Sequence, residues 1–209
     1  MDLIIITPEI NHPNEIESIH AFFENGLSKL HLRKPLFTTS DYRNFLNQID
    51  TNFHSRISIH GNFSLLKEFP CLGIHITAQI RESEKFSEII DLVCASTCST
   101  SFHSWKEIEN NQYPFDYVFI SPVFNSISKK GYTAAIDLSV IRKVKQKNIL
   151  KNEKTPSIIA LGGVDAANIG LLYQNGFDGV AILGAIWESE NPIASFIKIK
   201  KTIKGFEDA

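Results

Sequence analysis

Cysteine, net charge and long apolar runs are all scarce in this 209-residue chain, and each scarcity removes a class of protein. The three cysteines, Cys71, Cys94 and Cys98, are odd in number and contain no CxxC pair, which argues against a disulfide framework and a thiolate zinc site. They are expected to be small buried residues in a reducing compartment. A formal net charge of −2 leaves no global attraction to nucleic acid or to an anionic membrane. No apolar run is long enough to span a bilayer. The apolar start Met1-Asp2-Leu3-Ile4-Ile5-Ile6 lacks the basic region and small-residue cleavage site of a signal peptide, so it reads as a strand. The expectation is a cytoplasmic protein with no nucleic-acid or membrane partner. No linker or low-complexity segment interrupts the chain, so residues 1–209 read as one domain. Its 43% hydrophobic and 21% charged residues suit a sizeable core.

What is present is alternation. Short β-branched or apolar runs recur at 3–7, 29–33, 56–60, 73–77, 92–97, 117–123, 157–161 and 179–183, and an amphipathic stretch follows each. Several runs lack polar alternation, as parallel strands buried on both faces do. Between them, Ile16, Ile19, His20 and Phe23 share one helical face, and Tyr42, Phe45, Leu46 and Ile49 another. Asp137-Leu138-Ser139 starts a helix that turns Leu138, Ile141 and Val144 inward. Asp165 is expected to cap a helix over 166–174 that Asn175-Gly176 stops. Pro192 opens the last helix, carrying Ile193, Phe196, Ile197 and Ile199. The third unit is short, with barely two turns at 62–69. Eight strand–helix units of about 25 residues predict an α/β fold, a single (β/α)8 TIM barrel. An open doubly wound sheet fits worse, because its glycine fingerprint follows the first strand. Here Thr7-Pro8-Glu9 follows it and the glycines come late.

In a barrel the chemistry gathers at the C-terminal ends of the strands. The seventh ends in Ala160-Leu161-Gly162-Gly163-Val164-Asp165 and the eighth in Ile182-Leu183-Gly184-Ala185-Ile186. Glycine lets backbone N–H groups approach an anion in front of a helix N-terminus, so both loops suit a phosphate. The loop after the sixth strand carries Ser126-Ile127-Ser128-Lys129-Lys130, two hydroxyls and two ammoniums in five residues. On the second strand His31 and Arg33 point the same way, and a guanidinium there suits a second anion such as a leaving pyrophosphate. The plainer alternative is a surface ion pair. His60, His75 and His103 end the third, fourth and fifth strands and, with His31, place four imidazoles near one mouth. No Asp, Glu or Cys accompanies them, so they are read as substrate contacts or proton carriers and no metal ligand is expected.

Taken in order, Leu30-His31-Leu32-Arg33, Gly73-Ile74-His75-Ile76, Ser101-Phe102-His103-Ser104, the run Asp116 to Phe124, Lys129-Lys130, Ala160-Leu161-Gly162-Gly163 and Gly179-Val180-Ala181-Ile182 resemble the thiamine-phosphate synthase and TenI-like superfamily of barrels almost end to end. The resemblance implies an enzyme of thiamine biosynthesis, a transferase joining hydroxymethylpyrimidine diphosphate to a thiazole phosphate with loss of pyrophosphate. It implies that Ser101, Ser126, Ser128, Gly162, Gly163, Leu183 and Gly184 hold the thiazole phosphate. It gives Arg33 and Lys129, with His31 and His103, catalytic roles, and leaves His60 and His75 as further substrate contacts. It also implies two aspartates that bind magnesium. Gly61 and Ile80 stand in their places, and Pro35, beside Lys34, replaces a family lysine. Magnesium would then be held only through a substrate diphosphate.

Two other functions fit the same residues. TenI-like relatives aromatise a thiazole carboxylate phosphate by moving a proton, some with a histidine where Pro122 stands here, so His31, His60, His75 or His103 would serve instead. A non-catalytic binder of thiazole or thiamine phosphate would keep the phosphate grip without turnover. The expected partners are small phosphorylated heterocycles, and a homodimer is compatible with the sequence.

Overall fold

The structure, a computed structural model, describes residues 1–83, 86, 88–89, 96–125, 136–150 and 156–208. Eight parallel strands close into a barrel in sequence order: β1 (Asp2–Ile6), β2 (Lys29–Leu32), β3 (Ile57–Ile59), β4 (Gly73–Ile76), β5 (Cys98–Phe102), β6 (Tyr117–Ile120), β7 (Ser157–Leu161) and β8 (Gly179–Ile182). The circle closes where Leu3 lies opposite Val180 and Ile4 opposite Ala181. This is the expected (β/α)8 barrel. The described helices around it are α1 (Glu15–Glu24), α2 (Thr39–Leu46), α3 (Ala78–Arg81), α4 (Trp105–Asn110), α5 (Val140–Leu150), α6 (Ile169–Asn175), α7 (Gly184–Trp187) and α8 (Pro192–Glu207). None of them is long and apolar enough to cross a membrane.

The expected inward faces are found. Ile19, Phe23, Tyr42, Phe45, Leu46, Ile49, Ile141, Val144, Phe196 and Ile199 are all buried against the barrel. Local chemistry sets the ends of these helices. Thr38 and Asp41 form a reciprocal capping box on α2, and Asn191 caps α8 ahead of Pro192. The short third unit is a 3-10 helix, Phe63–Lys67.

Three expectations are corrected. The fifth strand is Cys98–Phe102, not 92–97; Ser96 and Thr97, the described part of that span, lie outside it. Its inward positions are Ser99 and Ser101, so it lacks the apolar signature of a buried strand. The helix after β7 starts at Ile169, behind Asn168, and Asp165 instead caps the preceding turn by accepting from the Ala167 and Asn168 N–H groups. Cys98 is buried as expected, but Cys71 is exposed, since it sits in the turn before β4. Cys94 lies outside the described residues.

Strand alternation divides the side chains between two cores. Leu30, Leu32, Ile57, Ile59, Ile74, Ile76, Val118, Ile120, Ile158 and Val180 face the helices. The opposite set fills the lumen, and it is two-sided. Ile4, Ile6, Phe119, Ile159 and Ala181, from β6, β7, β8 and β1, make an apolar half. His31, Ser58, His75 and Ser99, from β2 to β5, make a buried polar half.

Candidate functional site

Three of the four expected histidines converge. His31 and His75 are not at the rim but inside β2 and β4, 0% and 3% exposed. His60 follows β3 at the C-terminal rim and is half-buried. His60 Nε2 lies 2.9 Å from His31 Nδ1, and the His60 ring stacks on His75 with centroids 4.2 Å apart. Each buried imidazole has a partner on its far side. His31 Nε2 is 2.7 Å from Tyr117 Oη, which is 3.0 Å from Ser58 Oγ, while His75 Nδ1 is 2.9 Å from Ser99 Oγ. Phe119 forms the floor beneath His31 and His75. Tyr117, Ser58 and Ser99 were not singled out from the sequence. Their two-residue spacing from Phe119, His60 and Ser101 is the signal that places them on the same inward face.

A low-dielectric lumen disfavours an imidazolium. Burial, reinforced by the charges of Arg81 and Arg33, holds His75 down to about 3. Burial likewise keeps His31 and His60 well below the usual imidazole range, with neighbouring histidines adding to the effect. The cluster is therefore neutral near pH 7. Burial pushes the Tyr117 phenol up, so it remains a protonated donor.

The other expected residues lie around the rim. His103 stays apart from the cluster: it is exposed, and its Nδ1 is 2.9 Å from the Ser121 carbonyl oxygen. Ser101 faces the lumen, with Oγ 3.2 Å from His75 Nε2. The Arg33 guanidinium donates to Glu9 in the loop after β1, an exposed pair on the C-terminal rim. Lys34 turns the other way. Its ammonium is wholly buried, 2.8 Å from Glu15 Oε2, so it does not stand in at the mouth for a lysine at position 35.

The late loops are tightly joined. Gly162 and Gly163 adopt φ of 96° and 67°, left-handed conformations that favour glycine. A Cβ on Gly162 would lie 2.9 Å from Pro122 Cα, and one on Gly163 2.6 Å from the Asn125 carbonyl oxygen. The Phe124 N–H donates to the Gly162 carbonyl, extending the β6–β7 contact beyond the strands. Leu183 and Gly184 follow β8 at the start of α7. Ser126, Ser128 and Lys129 lie outside the described residues.

The family model for thiamine monophosphate synthase matches residues 3–186. The chain belongs to the thiamine monophosphate synthase family. Among similar proteins, a thiamine-phosphate synthase of Desulfitobacterium hafniense is 24% identical over 199 residues, covering 93% of this chain and 90% of that one. Another, of Lysinibacillus sphaericus, is 23% identical and covers 96% and 93% of the two chains. In solved structures, thiamine phosphate pyrophosphorylase of Bacteroides thetaiotaomicron superposes with a TM-score of 0.74 at 30% identity, covering 98% of both chains. The Pyrococcus furiosus protein of that name has a TM-score of 0.77 at 17% identity, a likeness of fold, and covers 98% of this chain and 96% of that one.

The magnesium implied by this family needs hard oxygen ligands. Gly61 and Ile80 offer no side-chain oxygen, and the Asn62 side-chain oxygen Oδ1 accepts from Thr39 Oγ1. Among the described residues, the group whose ligand atoms converge is His31, His60 and His75, all nitrogen. Among the described residues this donor set does not fit magnesium.

Proposed function

We propose that this family member is a thiamine-phosphate synthase-type transferase. In this reaction the thiazole ring nitrogen forms a bond to the pyrimidine methylene carbon as that carbon's bond to the diphosphate oxygen breaks, releasing pyrophosphate. The observation that carries the reading is the glycine-locked junction of the loops after β6 and β7, which presents backbone at the rim inside a family match spanning residues 3–186. On this reading Gly162, Gly163, Leu183 and Gly184, with Ser126, Ser128 and Ser101, take the thiazole phosphate. Arg33, released from Glu9, and Lys129 take the diphosphate and stabilise its departing charge. His60 and His103 line the mouth. His31 and His75 act through His60 as positioning residues, because they are enclosed in the lumen. Magnesium would arrive with the diphosphate.

The purified protein, given hydroxymethylpyrimidine diphosphate and thiazole phosphate, is expected to yield thiamine phosphate by chromatography. Arg33→Ala should lower turnover by roughly a hundredfold or more, the scale of losing a charge-stabilising donor. Lys129→Ala should weaken phosphate-ligand binding. No turnover with or without magnesium sinks the proposal, and binding without turnover in calorimetry would make the protein a carrier.

One observation supports a second reading, the thiazole tautomerase. His60, His31, Tyr117 and Ser58 form a continuous hydrogen-bonded chain from the rim into the lumen. Such a chain can relay the proton that the isomerisation moves. Isomerisation of thiazole carboxylate phosphate that His60→Gln abolishes would favour it.

A further inference from the structure

The polar half of the lumen presents three imidazoles whose ligand nitrogens lie within 4.8 Å of one another. His31 Nε2 faces Tyr117 and His75 Nδ1 faces Ser99, while His31 Nδ1 and His60 Nε2 face each other and His75 Nε2 meets Ser101 Oγ at 3.2 Å, a contact that a bound cation would replace. We propose that His31, His60 and His75 form a three-histidine site for a zinc-class divalent cation, with its fourth position open towards Ser101 and the mouth.

Geometry and donor chemistry support this assignment. Zinc–imidazole bonds of about 2.0–2.1 Å in a tetrahedron separate the nitrogens by about 3.3 Å. The 2.9 Å His31–His60 pair must open by about 0.4 Å, and no pair needs to close by more than about 1.5 Å from its 4.8 Å limit. Rotation of the His60 ring, the one at the rim, supplies most of that. Ligand histidines usually carry a hydrogen-bond partner on the far nitrogen, which fixes tautomer and ring orientation. Tyr117 and Ser99 already fill that role. Among the described residues Phe119 closes the floor, and the half-buried His60 is the member of the group at the rim. Three nitrogens without a carboxylate select a borderline cation over magnesium or calcium, and three protein ligands leave a position for water or a ligand oxygen. The site is independent of the transferase reading: it stands or falls on metal binding, whether or not thiamine phosphate is made.

The test is a titration of tag-free protein, stripped with chelator, with cobalt(II) as a spectroscopic probe and zinc as competitor. The expected result is one equivalent bound with tetrahedral d–d bands, displaced by zinc and untouched by magnesium. His60→Ala and His75→Ala should each weaken binding at least a hundredfold, while His103→Ala leaves it unchanged. X-ray absorption of the wild-type zinc form avoids any question of variant folding and should show three imidazole nitrogens at about 2.0–2.1 Å. No cobalt bands at stoichiometric metal, an all-oxygen shell, or binding that survives His75→Ala would overturn the assignment.

Discussion

Acid should unfold this barrel through its lumen. His31 and His75 are 0% and 3% exposed and neutral in the fold, and His75 is held at about 3 against an ordinary value of 6.5. In the unfolded chain both titrate near 6.5. Between these values the unfolded state binds more protons, so stability rises with pH across that window and falls as pH drops below 6.5. Well below pH 6.5 a group held neutral in the fold changes stability by about 1.4 kcal/mol per pH unit, and His31, shifted in the same direction as His75, adds to the loss. From pH 6.5 to 5 the His75 share of the loss is about 2 kcal/mol, a sizeable part of a typical total of roughly 5–15 kcal/mol. His60 adds to it. The assay is a set of urea unfolding curves at half-unit steps from pH 7.5 to 5, with chelator present to keep metal away. The difference in slope between the wild type and a histidine variant reports the imidazole. His75→Gln keeps an amide for Ser99 and removes one titration, and it should flatten the slope by about 1.4 kcal/mol per pH unit. Identical slopes in the wild type and this variant would refute the reasoning.

Glu15→Ala strands the buried Lys34 ammonium and should cost about 3–5 kcal/mol, the scale of breaking a buried pair from one side. Calorimetry should show the double variant Glu15→Leu/Lys34→Met melting above the single one; the reverse order would dismiss the pair. Gly163→Ala puts a Cβ 2.6 Å from the Asn125 carbonyl oxygen at φ 67°, so it should cost about 1–3 kcal/mol and weaken phosphate-ligand binding more than tenfold. Unchanged binding in titration calorimetry would remove this loop from the grip. Tyr117→Phe deletes the hydroxyl between His31 and Ser58 and should lower the free energy of unfolding by about 1–3 kcal/mol in urea. An unaltered urea midpoint would mean that this hydroxyl does not hold the lumen network together.

Seven of the eight expected strand positions match: β1, β6, β7 and β8 carry apolar residues on both faces, and β2, β3 and β4 set their polar lumen residues between aliphatic outward ones. β5 was not legible, because Ser99, Thr100 and Ser101 are polar on both faces and leave no apolar run. The cluster was not legible either. His31, His60 and His75 were visible one at a time, but their depth follows from barrel register, with His31 opposite Ser58 and His75 opposite Ser99. His103 shared their chemistry without sharing their position. It lies one residue past the end of β5, beyond an inward Ser101, and turns to the Ser121 carbonyl oxygen. Lys34 turns away from the mouth for a simple reason: one residue along an extended backbone reverses the direction of a side chain.

The junction at Gly162 and Gly163 also constrains how this rim can change. With no room for a Cβ against Pro122 or Asn125, the first residues after β6 and the turn after β7 form one mechanical body. A ligand that draws one of them inward must carry the other along. Tightening for an anion at the β7 turn therefore reaches Asn125 at the end of the β6 loop's described part. Two loops far apart in the chain behave as a single jaw, and a substitution on either is felt on both.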